Sequence, residues 1–362
     1  MTVIRVDLQP KGYDVVVADA GPEAVAPYVK KLFAPGRLVV ITDSTVGGLF
    51  ADRIEQALVA EGFDVATINV TPGERSKSFT TAEMLLERMS EIDLDRKSVV
   101  MSLGGGVVGD LAGFVSSIYK RGCPVVHVPT TLLAQVDSAI GGKTGVNLAH
   151  VKNQIGTFHQ PSLVFAPIRA LRTLPRRQLL NGIAEGIKTA VVLDADLVEW
   201  LGQTSDPLHW TDSWLVHLVS RCCAAKASVV EKDEKDDGLR MVLNFGHTLG
   251  HALEAVADED ELLHGEAVAI GMAAAIGLSR HLGYCRPQTE AAVLHLLGTF
   301  GLPTSAKSFV GRPWSQALRK DKKSAGSQIT TVLLHEFGHP LLVKQSVDEL
   351  TRWFKEWMEN DG

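Results

Sequence analysis

The sequence predicts an α/β protein: a doubly wound parallel sheet in the first half, followed by a mainly α-helical second half. Two observations predict it. Up to about residue 174, short β-branched runs alternate with helix-length segments, which is the pattern of a doubly wound sheet. After Leu174-Pro175 the chain consists mostly of long amphipathic runs. The length of 362 residues suits about two domains, so we expect them over residues 1–174 and 175–362.

Each element follows from its local pattern. Short runs rich in β-branched residues are typical of buried parallel strands. They predict strands over residues 37–42, 64–70, 98–103 and 124–128, with helices between them over 46–61, 80–92 and 107–118. Helical periodicity predicts helices over 176–193, 213–231, 239–256 and 264–282, and residues 328–334 with 341–343 predict a small hairpin. We expect the two halves to pack directly, with the functional site in the cleft between them.

Composition and charge exclude several classes of protein. The net charge is −6, with no basic block, which argues against a nucleic-acid partner or a membrane-binding patch. No apolar run approaches the ~20 residues of a membrane helix, and the N-terminus lacks the apolar core of a signal peptide. We therefore expect a cytoplasmic protein. The 4 cysteines show neither disulfide-scaffold density nor C-x-x-C spacing, which predicts free thiols.

A glycine-rich motif follows the third predicted strand and opens a helix. It reads Gly104, Gly105, Gly106, Val107, Val108, Gly109, Asp110. Its glycines fit G-x-G-x-x-G, where missing side chains let the backbone approach a pyrophosphate at a helix N-terminus. The motif does not follow the first strand, and no acid lies about 20 residues onward to bind a ribose. Asp43, at the end of an earlier strand, could bind it instead. The alternative is a tight turn without a ligand.

The segment from residue 129 to residue 161 shows almost no regular periodicity and is predicted to be a long loop. Segments of this kind inside a compact domain are usually functional or disordered, and its sparse charge argues against disorder. It carries Lys143 and Lys152 beside a glycine pair, together with Asp137 and Asn153. Lysine beside a glycine turn is suited to phosphate binding. The alternative is a solvated surface loop.

A third motif contains three histidines. His247 and His251 are spaced i, i+4 and share one face of a predicted helix, while His264 opens the next one. Glu185 lies inside an otherwise apolar predicted helix and could join them. A mixed set of imidazoles and a carboxylate makes an open Zn²⁺ site a reasonable hypothesis. The alternative is that these are surface histidines or hydrogen-bonded core histidines.

A fourth motif points to a different chemistry. Residues 335–339 fit H-E-x-x-H, which on a helix would be a zinc-protease site with Glu336 as general base. Here the preceding residues have strand character, Gly338 disfavours a helix, and His339 precedes a proline. The sequence therefore predicts a turn between two strands, and we expect no protease.

Taken together, the motifs resemble those of the 3-dehydroquinate synthase family, from about Val39 to Gly338. The pieces that carry the resemblance are the glycine-rich motif, PTTLLAQVDSAIGGKTGVN, Lys152-Asn153, Ala184-Glu185, LNFGHTLGH, HGEAVAIGM and Asp321-Lys322-Lys323. The resemblance implies a Rossmann-like N-terminal domain that binds NAD, a helical C-terminal domain with Zn²⁺ or Co²⁺, and a homodimer. It also implies conversion of 3-deoxy-D-arabino-heptulosonate 7-phosphate to 3-dehydroquinate and phosphate in the shikimate pathway. That conversion proceeds through transient oxidation by NAD, phosphate elimination, re-reduction and aldol closure.

The resemblance also assigns roles to individual residues. The metal ligands it implies are Glu185, His247 and His264, which leaves His251 free to act on the substrate. The implied cofactor contacts are Asp43, Glu74, Lys77, residues 104–110, Thr130, Thr131, Lys143, Lys152 and Thr173. The residues it implies around the substrate are Arg121, Asp137, Lys143, Lys152, Asn153, Lys188, Lys226, Arg240, Asn244, His251, Lys322 and Lys323. Their cations suit a phosphorylated sugar acid, since a bidentate arginine fits a carboxylate and clustered lysines fit a phosphate.

Some positions depart from the family's usual pattern. Ala166-Pro167-Ile168 replaces the usual acid and threonine, His159 stands where tyrosine is usual, and the residues after Glu185 and Lys188 also differ. None of these changes removes a proposed ligand or cation. Related cyclases that act on other sugar phosphates or on an amino analogue, a metal-dependent polyol dehydrogenase and a non-catalytic nucleotide-binding module remain alternatives.

Overall fold

The computed structural model describes residues 1–148, 151–204, 209–258, 260–321 and 328–360. The chain divides into two compact units. The first comprises Met1–Leu179 and Thr211–Lys235, and the second comprises Leu180–Trp210 and Asp236–Gly362.

The elements follow one another in the order that the sequence suggests. The strands are β1 Thr2–Val6, β2 Tyr13–Ala18, β3 Arg37–Asp43, β4 Asp64–Val70, β5 Val99–Gly104, β6 Val125–Pro129, β7 Lys143–Leu148, β8 Val151–Phe158, β9 Leu163–Pro167, β10 Gln328–Glu336 and β11 His339–Ser346. The α-helices are α1 Ala26–Leu32, α2 Ser44–Ala60, α3 Phe79–Glu91, α4 Gly106–Ile118, α5 Arg176–Leu193, α6 Ala195–Gly202, α7 Asp212–Lys232, α8 His247–Glu254, α9 His264–His281, α10 Pro287–Thr299, α11 Trp314–Asp321 and α12 Val347–Asn360.

The first unit is built on one sheet with the strand order β1-β2-β9-β6-β5-β3-β4. The β1–β2 pair is antiparallel and the other pairs are parallel. Apolar clusters cover both faces of the sheet, so its central strands β5, β6 and β9 are fully buried. The edge strands β1 and β4 are partly exposed. The expected fold class is confirmed. The strand order reverses between β3 and β5, and the crevice at the carboxyl ends of such strands is where doubly wound sheets bind ligands.

Two expectations for the first unit were wrong or incomplete. The segment from residue 129 to residue 161 is not a structureless loop: it contains a π-helical turn, Ala134–Ser138, and the antiparallel hairpin of β7 and β8. Helix α7 belongs to this unit and not to the second, because it packs on β1, β2 and the π-helical turn. The single division expected at residue 174 therefore differs from the two compact units.

The second unit surrounds helix α9, which is buried along most of its length. Helices α8, α10 and α12 and strand β10 contact it. The expected helix over residues 239–256 was wrong in its first half: a 3₁₀ segment, Leu239–Asn244, leads to Gly246, and α8 starts only after that residue. Gly246 has φ +81°, a left-handed conformation that glycine adopts without strain.

The H-E-x-x-H motif lies in the turn between β10 and β11, as predicted. Its fourth residue, Gly338, has φ +77°, and the backbone N–H of Gly338 donates to the carbonyl of Val191. His335 Nδ1 lies 2.7 Å from the carbonyl oxygen of Tyr284. A helix with both histidines on one face is absent here, so the geometry of a zinc-protease site is not formed.

Two smaller expectations concern cysteines and membranes. All four cysteines are free and buried, as predicted. None of the helices in the described part of the chain is long and apolar enough to cross a membrane.

Candidate functional site

The glycine-rich motif joins β5 to α4 at the edge of the sheet where ligands are expected. A Cβ at Gly104 would lie 2.7 Å from Val108 Cβ, and a Cβ at Gly105 would lie 3.0 Å from Thr131 Cγ2. A side chain at Gly104 would therefore force Val108 to move, and one at Gly105 would fit only if Thr131 shifted slightly. A Cβ at Gly109 would meet nothing within 4 Å, so this glycine leaves space that the protein itself does not fill.

A cleft with about 330 Å³ of empty space lies beside the motif. Its lining residues are Ser102, Gly104, Gly105, Gly106, Gly109, Asp110, His127, Pro129, Ala134, Ser138, Ala139, Gly142 and Lys143. The hydroxyl of Thr130, next to this lining, is buried without a hydrogen-bond partner among the described residues. Glycine backbone, a helix N-terminus and an unsatisfied hydroxyl suit the pyrophosphate and ribose of a dinucleotide.

Gly109 supplies a prediction in which stability and binding change in opposite directions. Gly109→Ala should stabilise the protein by up to about 0.5–1 kcal/mol, because alanine favours a helix and meets no neighbour here. The added methyl group projects into the cleft and should weaken NAD binding about tenfold or more. Urea unfolding and a fluorescence titration with NAD measure the two effects. Gly48→Ala is the matched control, since its Cβ also meets nothing within 4 Å, and it should leave NAD binding unchanged.

An ion-pair network joins the glycine-rich helix to the hairpin β7–β8. Lys77 contacts both the carboxylate of Asp110 and the amide oxygen of Asn153. Burial raises the pKa of Asp110, with Lys77 opposing the shift. Asn147 donates from Nδ2 to Glu74 at 2.8 Å, and its Oδ1 accepts from the N–H of Asn153 at 2.8 Å. Asn153 adopts φ +55°, so the network holds a strained turn conformation beside Lys152.

A second pair lies at the π-helical turn. Lys226 of α7 is 5% exposed, and its Nζ lies 2.7 Å from Asp137 Oδ1 and 2.6 Å from the Asp137 carbonyl oxygen. Both residues were expected at the substrate. The structure brings them together, and π-helical turns occur frequently at functional sites.

The floor of the cleft contains two residues that the sequence analysis missed. Ser102 Oγ lies 2.7 Å from His127 Nδ1, and burial lowers the pKa of His127 to about 4. The ring is therefore neutral at pH 7. Ser102 and His127 each lie in a predicted strand. That they touch follows from the pairing of β5 with β6, which only the structure shows.

The other expected residues of the first unit are placed individually. Asp43 caps α2, with Oδ1 accepting from the N–H groups of Thr45 and Val46 at 2.9 and 3.0 Å. Thr173 donates to the carbonyl of Ala170. Lys143 and Lys152 are exposed, and Arg121 has φ +67°, a sparsely populated conformation for a non-glycine residue.

In the second unit, Glu185, His247 and His264 lie together. Glu185 Oε1 is 3.6 Å from His247 Nε2 and 3.3 Å from His264 Nε2. Their ligand atoms, one from each residue, all lie within 4.8 Å of one another. Ligands about 2.0–2.1 Å from a tetrahedral Zn²⁺ are about 3.3 Å apart, so this spacing matches one carboxylate and two imidazoles around one ion.

Glycines bring these three helices close enough to form the cluster. A Cβ at Gly271 of α9 would lie 1.8 Å from the carbonyl oxygen of Gly246, at the start of α8. A Cβ at Gly265 would lie 2.1 Å from the carbonyl oxygen of Asn181 in α5. Only glycine permits such close backbone approaches. Gly265 directly follows His264 in the sequence, and Gly246 directly precedes His247. The glycine-rich context of the histidine motif thus has a packing cause.

The electrostatics of the cluster favour a bound cation. Burial opposes the charge of Glu185, but Lys188, whose Nζ is 2.5 Å away, and the two histidines outweigh it and hold the pKa of Glu185 well below its ordinary value. Burial, followed by the charge of Lys188, lowers the pKa of His247 to about 3. Burial also disfavours a charged His264, but hydrogen bonds to Glu185 and Glu254 outweigh it and raise its pKa to about 10. An ion would displace that proton.

The donor set fits Zn²⁺ or Co²⁺. Both oxygens of Glu185 are buried without a well-aligned hydrogen bond from the described residues, although Lys188 and the histidines stand within ion-pair distance. His247 Nδ1 lies 3.2 Å from the carbonyl oxygen of Phe245, which leaves Nε2 available as a ligand. One buried carboxylate and two imidazoles are the ligand set of an open catalytic site.

The remaining expected residues of this unit lie on or near α8. The His251 ring centroid is 5.1 Å from that of His247 and 5.9 Å from that of His264. Arg240, which is 3% exposed, and the exposed Asn244 lie on the 3₁₀ segment before Gly246. Lys322 and Lys323 lie outside the described residues. The sequence analysis missed Glu254, although its spacing of i+3 from His251 on one helix could have indicated it.

Comparison with known proteins shows which family this chain resembles. Residues 67–181 match the family description 3-dehydroquinate synthase N-terminal, and residues 182–324 match 3-dehydroquinate synthase C-terminal. The 3-dehydroquinate synthase of Pelobacter propionicus is 40% identical over 97% of this chain and 98% of its own length.

Two similar solved structures belong to other cyclases. A crystal structure of 2-deoxy-scyllo-inosose synthase complexed with carbaglucose-6-phosphate, NAD+ and Co2+ has a TM-score of 0.87 at 26% identity and covers 98% of this chain and 99% of that chain. ValA, a 2-epi-5-epi-valiolone synthase from Streptomyces hygroscopicus subsp. jinggangensis 5008 with NAD+ and Zn2+ bound, has a TM-score of 0.83 at 27% identity over the same shares. With both halves matched and 40% identity over nearly its whole length, this chain belongs to the 3-dehydroquinate synthase family.

Proposed function

We propose that this protein is a 3-dehydroquinate synthase, a lyase of the shikimate pathway that converts 3-deoxy-D-arabino-heptulosonate 7-phosphate to 3-dehydroquinate and phosphate. The observation that carries the proposal is the cluster of Glu185, His247 and His264, in a chain 40% identical to a 3-dehydroquinate synthase over 97% of its length. When bound, NAD would accept and return a hydride, while Zn²⁺ or Co²⁺ would polarise the hydroxyl being oxidised.

The chain's own residues supply binding and orientation. Glu185, His247 and His264 would hold the metal ion, and residues 104–110 with Thr130 and Thr131 would hold the dinucleotide. We place Lys77 and Glu74 among the cofactor contacts because their network orients the glycine-rich helix. Asp43, Lys143, Lys152 and Thr173 complete that proposed set.

The substrate carries a phosphate and a carboxylate, and the proposed binding groups match both. Arg240 is almost fully buried, and a buried guanidinium suits bidentate binding of a carboxylate. The further proposed substrate contacts are Arg121, Asp137, Lys143, Lys152, Asn153, Lys188, Lys226, Asn244, His251, Lys322 and Lys323. His251 stands beside the metal cluster without belonging to its ligand set, which suits hydrogen bonding or proton transfer.

Related cyclases provide the nearest alternative. The similar solved cyclases share 26% and 27% identity with this chain, whereas the 3-dehydroquinate synthase of Pelobacter propionicus shares 40%. Arg240, Leu243, Asn244 and His251 are all present, as a substrate with a carboxylate requires under our assignment.

Phosphate release tests the choice of substrate. The purified protein, supplied with NAD and Zn²⁺, is incubated in parallel with the heptulosonate phosphate, its amino analogue and other sugar phosphates. We expect the fastest release of inorganic phosphate from the heptulosonate phosphate. Release from the amino analogue alone would replace the proposal with an aminodehydroquinate synthase. Turnover of an unphosphorylated polyol with accumulating NADH would support a polyol dehydrogenase.

Lys152 provides a prediction about substrate or cofactor binding. Lys152→Ala should lower kcat/KM for phosphate release about 10- to 100-fold, because it removes one charge-assisted contact to an anion. The side chain is exposed, so the unfolding midpoint in urea should stay unchanged. Lys235→Ala is the matched control: this lysine is also exposed, and its Nζ lies 4.9 Å from the Phe158 ring centroid. Unchanged turnover in Lys152→Ala would contradict the role proposed for this lysine.

We also propose that the protein works as a cytoplasmic homodimer, which rests on the family resemblance. Light scattering coupled to size exclusion measures the oligomeric state directly. A single species at twice the chain's 39.0 kDa supports the dimer, and a monomer that retains full activity contradicts it.

A further inference from the structure

His264 lies between two carboxylates, one on each ring nitrogen. Glu185 Oε1 is 3.3 Å from Nε2, and Glu254 Oε2 is 3.1 Å from Nδ1. The Glu254 side chain is 9% exposed. The two ring nitrogens of histidine are distinct, so a group that accepts a hydrogen bond from Nδ1–H keeps the proton on Nδ1 and leaves the lone pair of Nε2 free for a metal ion.

The position of Glu254 is unfavourable for a helix by itself. It is the last residue of α8, where the carbonyl ends of the helix carry partial negative charge and disfavour a carboxylate. Its spacing from His247 and His251 places all three on one face of α8. Helix stability therefore does not explain a buried acid at this position, whereas the contact with His264 does.

We propose that Glu254 is a positioning residue of the metal centre. It accepts a hydrogen bond from the Nδ1–H of His264, which fixes the ring and directs Nε2 toward Glu185 and His247. The inference rests on the proposed function, because it needs that metal centre. Carboxylate partners of this kind make a metal-bound histidine a better ligand, and removing one typically costs 10- to 100-fold in metal affinity.

A second cation is the alternative role for Glu254 and its neighbours. Ligand atoms of His251, Glu254 and His264 also lie within 4.8 Å of one another, so these residues could hold a second cation. That ion would occupy Nδ1 of His264 while the first occupies Nε2, and the ring would have to lose both protons. A hydrogen bond from Nδ1–H to Glu254 needs no such ionisation, so the geometry favours positioning over a second ion.

Zn²⁺ affinity and Co²⁺ absorption spectra of the metal-free protein test the proposal. Zn²⁺ binding is measured by competition with a chromophoric chelator for the parent, Glu254→Ala, Glu254→Gln, His247→Ala and Glu336→Gln. Glu254→Ala should bind about 10- to 100-fold more weakly and should shift the Co²⁺ absorption bands. Glu254→Gln should recover most of the affinity, since its amide oxygen still accepts from Nδ1–H. His247→Ala should lose tight binding, and Glu336→Gln, an exposed carboxylate in the β10–β11 turn, should match the parent.

The outcomes separate this inference from the proposed function. A Glu254→Ala variant that binds Zn²⁺ as tightly as the parent overturns the positioning role while the metal centre stands. Two ions per parent chain, reduced to one by Glu254→Ala, overturn it in favour of a second cation site. A parent that binds no ion overturns the metal centre and this inference with it. Circular dichroism of each metal-free variant shows whether a loss of affinity reflects unfolding. If Glu254→Ala does not fold, Glu254→Leu carries the test, because it fills the same space without a hydrogen-bond acceptor and should show the same loss of affinity.

Discussion

Replacing Glu185 by glutamine should remove tight Zn²⁺ and Co²⁺ binding and slow phosphate release by about 1,000-fold or more. The amide is nearly isosteric but carries no charge, and an ion that polarises a hydroxyl supplies several kcal/mol of transition-state stabilisation. Metal content by atomic emission and phosphate release at saturating Zn²⁺ measure the two losses. Both should occur together, because we assign Glu185 to the metal and not to the substrate.

The control for this variant is Glu336→Gln, which makes the same chemical change at an exposed site in the β10–β11 turn. It should keep the metal content and the rate of the parent. This control also tests the H-E-x-x-H motif, whose Glu336 would be essential in a protease. A Glu185→Gln protein with one tightly bound ion and near-parental turnover would show that the metal lies elsewhere.

The second large effect concerns the stability of the metal-free protein. Lys188 and Glu185 form a buried ion pair at 2.5 Å, with side chains 2% and 1% exposed. Lys188→Met leaves the carboxylate without that charge and should destabilise the metal-free protein by about 3–5 kcal/mol. Bound Zn²⁺ supplies a replacement positive charge, so the loss should be smaller in the loaded protein. Urea unfolding with and without Zn²⁺ measures both values.

The double variant Glu185→Gln/Lys188→Met provides the control for that prediction. Removing both charges leaves no uncompensated buried ion, so the double variant should recover part of the stability lost in Lys188→Met. Additive losses in the two single variants and the double variant would mean that the pair is not energetically coupled. A Lys188→Met protein as stable as the parent would contradict the ion-pair account itself.

Where the local sequence pattern agrees with the tertiary packing, the helices and strands could be predicted from the sequence. The short β-branched run at residues 64–70 matches β4 at both ends, and the periodicity over 176–193 matches α5 at both ends. The hairpin β7–β8 could not be predicted because Gly145 and Gly156 disfavour strands locally. A Cβ at Gly145 would lie 2.6 Å from the carbonyl oxygen of Ile155, so the strands need glycine for their close approach.

The candidate site shows the same limit. The sequence alone indicated that His247 and His251 share one helix face and that Glu185 is an unusual acid in an apolar helix. That Glu185 meets two histidines from other helices depends on glycine contacts between α5, α8 and α9, which no local pattern encodes. The spacing of Glu254 from His251 places it on the same helix face, but its contact with the ring of His264, ten residues away on another helix, is visible only in the structure.

Under the proposed function, the protein eliminates phosphate while its NAD is used and regenerated in each turnover. The most direct test measures released phosphate and the absorbance of NADH simultaneously, with heptulosonate phosphate in large excess over enzyme and NAD. We expect phosphate to exceed the total NAD many times over, with no net accumulation of NADH at steady state. NADH that rises in step with substrate consumption, or no phosphate release at all, would contradict the account.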